Sequence, residues 1–123
     1  MGLIAKELGR ALINATAEGS ADTIVTNLTT LDTIITQITM FNAHTIAVTV
    51  TLCRVPDAAL SVGTDDAEDV FWKQSIAAGD TEILGSQDAK VPLTDTNDTL
   101  QAYASIADKV NIFCDGFTFP DQS

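Results

Sequence analysis

Only a few residues in this chain have the side chains to do chemistry, and their spacing argues against most of it. His44 is the single histidine, and Cys53 and Cys114 are the only cysteines. A zinc site wants several His or Cys ligands at close spacing, and no CxxC stands here. His44 flanks a turn signal, so it reads as a turn residue. No Gly-rich phosphate loop occurs, and no Ser, His and Asp set is recognisable from spacing. Asp65, Asp66, Glu68 and Asp69 form one acidic cluster, and Asp95, Asn97 and Asp98 a second. Both offer oxygens to a hard cation, but neither has the twelve-residue spacing of a calcium loop with its closing Glu. Asp and Asn at such positions also bond their own backbone in turns. The reading is therefore no catalytic, cofactor-binding or metal-ligating residue, no cofactor and no enzyme.

The cysteines leave three readings open. They are buried and inert, paired within one chain, or paired between subunits. Cys53 falls out of step with Ile46, Val48, Val50 and Leu52, which points it away from the main core and toward an interface or surface position.

Those residues must be positioned by strands. In "HTIAVTVTLCRVP" (44–56) Ile46, Val48, Val50 and Leu52 alternate with Thr45, Ala47, Thr49, Thr51 and Cys53. This two-residue period predicts a strand with one buried face, ended by Pro56. "DTIVTNL" predicts a short strand. "LDTIITQITMF" predicts a longer one, with Ile34, Ile38 and Met40 in one phase and Ile35 and Phe41 in the other. Asn42 opens a turn, with a left-handed conformation available to it. Residues 57–68 read as a polar loop. "DVFWKQSIAA", "TEILG", "VPL", "TLQAYASI" and "KVNIFCDGFTF" complete seven or eight short strands between Gly, Asp, Asn and Pro punctuation. The pattern predicts an all-β fold, a single antiparallel β-sandwich of jelly-roll or immunoglobulin-like type. Residues 21–123 form that domain, and residues 1–20 stand apart as an N-terminal helix or arm. In the latter, Leu3, Ile4, Leu8, Ala11 and Leu12 recur at helical spacing. The segment either caps the domain's own core or docks on a neighbour. Leu3, Ile4, Leu8, Leu12, Cys53 and Cys114 are the candidate interface residues.

The chain has 123 residues, 46% of them hydrophobic, enough for one core. Seventeen acids against six bases give a net charge of −11. Such a surface repels nucleic-acid phosphate and anionic membranes, so neither is an expected partner. No apolar run reaches the ~20 residues of a membrane-spanning helix. Lys6, Glu7 and Arg10 interrupt any signal-peptide core, so synthesis in a cytoplasm is expected.

The segments "ITMFNAHTIAVTVTLCRVP", "IAAGDTEIL" and "KVPLTDTNDTLQAYASIADKVNIFCDGF" together resemble, in strand and turn order, the small β-sandwich structural proteins of tailed bacteriophages. The resemblance spans roughly residues 22–119. It implies a non-enzymatic virion component, assembled in the host bacterial cytoplasm as a symmetric oligomer. Its partners would be copies of itself and other virion proteins. It implies a head-decoration, neck or collar, or tail-associated subunit; the separate N-terminal segment and the off-phase Cys53 suit a neck, collar or tail position, with capsid decoration as the alternative. A second class is a carbohydrate- or cell-surface-binding module, for which Trp72 and Tyr103 are the available aromatics. Trp72 shares a phase with Val70 and Ile76, which favours the core.

Overall fold

The computed structural model describes residues 4–16, 21–27, 32–55, 70–85, 91–93 and 98–118, and leaves aside the side chains of residues 4–7 and 91. Among the described residues nine strands run in chain order: β1 (Ile4–Leu12), β2 (Asp22–Thr26), β3 (Thr33–Asn42), β4 (Val48–Val55), β5 (Val70–Ile76), β6 (Thr81–Leu84), β7 (Val91–Leu93), β8 (Thr99–Ala104) and β9 (Val110–Thr118). One sheet has the order β1-β9-β3-β6, with β7 also on β3; the other is β2-β8-β4-β5. Every pairing is antiparallel. Taking β6 and β7 as one position beside β3, every pair of consecutive strands lies in different sheets except β4 and β5. That interleaving is the jelly-roll order rather than the immunoglobulin one. The β-sandwich expected from alternation is the fold observed.

Alternation fills the space between the sheets. Val48, Val50 and Leu52 of β4 meet Ile38 and Met40 of β3, Leu100, Ala102 and Ala104 of β8, and Ile112 and Cys114 of β9 in one core. Ile46 stands outside it, 55% exposed in the bend before β4.

The helix expected near the N-terminus is a strand. β1 pairs along β9 from Ile4↔Thr118 to Leu12↔Asn111, with a bulge at Leu8 between Glu7 and Gly9. The extra residue of a bulge turns a gap of two into a gap of three. Leu8 and Ala11 both pack on the core, and Ile13 is fully buried. Their spacing of three therefore mimics a helical face.

Bulges explain two further shifts of phase. Thr36 is the extra residue between Ile35 and Gln37, so Ile35, Ile38 and Met40 all face inward although their numbers change parity. Phe71 is the extra residue in β5 opposite the Leu52–Cys53 step. Trp72 consequently packs on the core, while Val70 joins Cys53 in a separate cluster.

Two glycines permit close approach. A β-carbon at Gly9 would run into the carbonyl oxygen of Ile24, where β1 crosses β2. One at Gly116 would run into the carbonyl oxygen of Ile34 and lie 2.9 Å from Leu8 Cδ1.

Candidate functional site

At the end of the sandwich where β1, β3, β5 and β8 finish, Asn42 is a hub. Its Nδ2 donates to the carbonyls of Ile46 (3.0 Å), Ile76 (2.9 Å) and Ala77 (3.3 Å), and its Oδ1 accepts from His44 N (2.9 Å). Asn42 is a fully buried strand residue. The left-handed conformations among the described residues fall instead at Gly79 (φ 73°) and Asp108 (φ 62°). His44 Nδ1 accepts from Thr45 N at 2.8 Å, so the sole histidine serves the turn. Asp22 Oδ2 accepts from the amides of Asn14 and Ala15, at 2.6 and 3.0 Å, tying the β1–β2 connection down. Among the described residues, this end is knit from buried or backbone-directed polar groups and presents no reactive constellation.

Among the described residues, no group of three or more His, Cys, Asp and Glu could hold a metal ion, and no helix is long and apolar enough to cross a membrane. The acidic cluster at 65–69 and Asp95 and Asn97 of the second lie outside the described residues. Asp98 of the second cluster is 2% exposed and sits 3.6 Å from Arg54 Nη2.

The candidate interface residues separate. Leu3 lies outside the described residues, and Ile4 opens β1. Leu8 packs on the core, and Leu12 is 47% exposed. Cys114 is fully buried within the core. Burial, with the Asp115 carboxylate second, pushes its thiol up to about 12. Cys53 does point to the outer face of its sheet, but there it is buried with Val55 against Ala21, Val70 and Tyr103. No disulfide joins the two cysteines.

Register places two outer faces in view. On the β1-β9-β3-β6 sheet, the inward partners are Ala11, Ile112, Met40 and Glu82 in one row. The flanking rows therefore point outward. One reads Leu12–Asn111–Phe41–Thr81, the other Arg10–Phe113–Thr39–Ile83. Leu12, Phe41 and Ile83 are exposed by 47, 37 and 57%. The Arg10 guanidinium lies over the Phe113 ring, 5.3 Å from its centroid. These eight positions hold one cation and no carboxylate, in a chain with seventeen acids. The sequence gives little sign of this patch, because its members come from four strands.

On the other sheet, the outward row Tyr103–Thr51–Lys73 crosses β8, β4 and β5. Toward one end the outer face is closed. Thr99, Gln101, Cys53 and Val55 are buried there, and Thr99 Oγ1 donates to Val55 O while Gln101 Nε2 donates to Thr99 Oγ1. Toward the other end it opens into a cavity of about 340 Å³, lined by Thr16, Thr49, Thr51, Lys73, Tyr103 and Ser105 among others.

No protein-family model matches the sequence, and no curated protein is similar to it at a significant level. Solved structures share the sandwich. A chain of the disulfide-linked pili of Bacillus endospore appendages aligns with a TM-score of 0.46 and 14% identity, over 97% of this chain and 90% of that one. A chain of the virus-like particle of Macrobrachium rosenbergii extra small virus aligns at 0.46 and 12%, over 99% and 82%. The Tobacco streak virus coat protein aligns at 0.45 and 6%, over 98% and 88%. Pilus and viral coat subunits thus figure among the structural neighbours. At this similarity the likeness concerns the fold, and a fold hosts many functions.

Proposed function

We propose that this protein is a non-enzymatic structural subunit of a virion, that of a tailed bacteriophage, which assembles as a symmetric oligomer at the neck, collar or tail. The observation that carries the reading is the pair of acid-free outward rows on the β1-β9-β3-β6 sheet, Leu12–Asn111–Phe41–Thr81 and Arg10–Phe113–Thr39–Ile83, bounded in the next outward row by Asp115. Copies of a chain with net charge −11 repel one another over most of their surface. The face bearing Leu12, Phe41, Phe113 and Ile83 is where that repulsion is least and where apolar area can be covered. Exposed aromatic and aliphatic side chains of this kind are the anchors of protein–protein contacts. The jelly-roll is rigid enough to serve as a repeating tile. The strand and turn order over residues 22–119 supports the phage assignment, and the acidic remainder suits a position away from packaged DNA.

Gold-labelled antibody against the chain, applied to particles released by cells that encode it, tests the reading. Label at one vertex or along the tail supports a neck, collar or tail subunit. Label spread over the head supports the alternative, a decoration subunit. Particles without label would overturn the virion assignment.

A further inference from the structure

We infer that the cavity on the outer face of the β2-β8-β4-β5 sheet is a binding site for a neutral saccharide unit. This goes beyond the assembly reading and does not rest on it, because the cavity lies on the opposite face of the sandwich from the proposed subunit contact.

Thr51 sits at the floor of the cavity, 2% exposed, with Lys73 beside it on β5 and Tyr103 beside it on β8. Strands lie ~4.8 Å apart, so the row from Lys73 to Tyr103 spans ~10 Å, the scale of one or two sugar rings. Thr16, Thr49 and Ser105 add hydroxyls at the end nearer the loops. Ser105 and Thr49 also fix one another: Ser105 N donates to Thr49 O at 2.8 Å, and Thr49 N donates to Ser105 Oγ at 2.9 Å. Among the described residues, no hydrogen bond engages the side chains of Thr51, Lys73 or Tyr103. Three side chains that line one space therefore keep their polar groups uncommitted to the fold, although the Tyr103 ring packs on Cys53 and Val55.

The chemistry of that lining selects the ligand. An apolar ligand would strip water from hydroxyls and an ammonium without replacing its hydrogen bonds, at about 1–3 kcal/mol for each such group. A metal ion would find no carboxylate among Thr16, Thr49, Thr51, Lys73, Tyr103 and Ser105. An anion would find one lysine and no arginine, in a chain whose net charge of −11 repels it. A neutral sugar meets none of these objections. Its hydroxyls both donate and accept, as threonine, serine and tyrosine hydroxyls do, and the Lys73 ammonium can donate to a vicinal pair. The Tyr103 ring offers an apolar body beside its polar tip, which suits the mixed faces of a pyranose. A volume of about 340 Å³ fits one or two units, at the low end of the ~300–1,000 Å³ usual for ligand sites.

Isotope-labelled protein titrated with maltose, cellobiose, lactose and mannobiose in turn, with sialyllactose as the acidic comparator, tests the site by amide chemical shifts. The expected result is saturable shifts at Thr51, Lys73 and Tyr103 with at least one neutral disaccharide. Lys73→Ala, at an exposed position that folding tolerates, should weaken that binding at least severalfold, and Tyr103→Ala should weaken it further. The same shifts should persist in Ile83→Asp, whose substitution lies on the opposite face, which separates this inference from the assembly reading. Absence of saturable shifts with all four neutral sugars, response to sialyllactose alone, or binding unchanged in both Lys73→Ala and Tyr103→Ala would overturn it.

Discussion

Asn42 illustrates how single residues hold this molecule together. One buried amide serves three carbonyls on two connections and accepts a fourth bond from His44 N. Asn42→Leu leaves the Ile76 carbonyl without that bond and should cost about 1–3 kcal/mol in chemical denaturation. An unchanged midpoint would deny the hub its role. Gly116→Ala forces a β-carbon against the Ile34 carbonyl and should destabilise by about 1–3 kcal/mol, because backbone must move. Cys114 carries a pH signature. Its folded value lies near 12, against 9.0 for the free thiol, and burial is the main cause. A raised value means that the folded state keeps its proton while the unfolded state loses it. The stabilisation is complete below pH 9.0 and is lost as pH rises toward about 12. Cys114→Ala should therefore show a shallower loss of stability than the parent across that window, although it starts lower because of the cavity it leaves. Parallel slopes would contradict the assigned cause. Of these residues, sequence marked Asn42 as a turn element but not as a buried hub. Asparagine's preference for turns is local, whereas its three carbonyl partners arrive from the end of β5, the residue after it and the bend before β4.

The strands themselves were largely legible. From residue 22 onward, alternation and Gly, Asp and Pro punctuation located β2 to β9. The Thr phase of β4 correctly pointed Thr51 and Cys53 away from the core. What alternation cannot show is a bulge. Leu8, Thr36 and Phe71 each insert one residue, and each shifts the phase that follows. This made β1 read as a helix and gave Val70 and Trp72 a common face. The consequence is testable by truncation. β1 is a hydrogen-bonded strand along β9, and Ile13 beyond it is fully buried. Removing residues 1–12 exposes the edge of β9 and one side of the core. The truncated chain should lose cooperative thermal unfolding, not merely its ability to assemble. A sharp transition at the parent temperature would show that the segment is dispensable to the fold.

At the scale of the whole molecule, composition announced an acidic particle and left its two faces unresolved. The acid-free patch gathers Leu12, Phe41, Ile83 and Phe113 from four strands, and the cavity gathers Thr51, Lys73 and Tyr103 from three. Such gatherings are set by cross-strand register in a jelly-roll, which local pattern does not encode. The proposals use the two faces separately, one for copies and one for a ligand. The buried thiols fit neither face, and an intersubunit disulfide would need the chain to open around them. Light scattering on size-excluded protein, parent against Ile83→Asp with and without reductant, reads out assembly through the acid-free patch. A closed oligomer is expected for the parent, indifferent to reductant, and a monomer for Ile83→Asp, which puts a carboxylate at the most exposed apolar position of the patch, on its β6 edge. A parent that stays monomeric at every concentration, or an Ile83→Asp variant that assembles as the parent does, would contradict assembly through that patch.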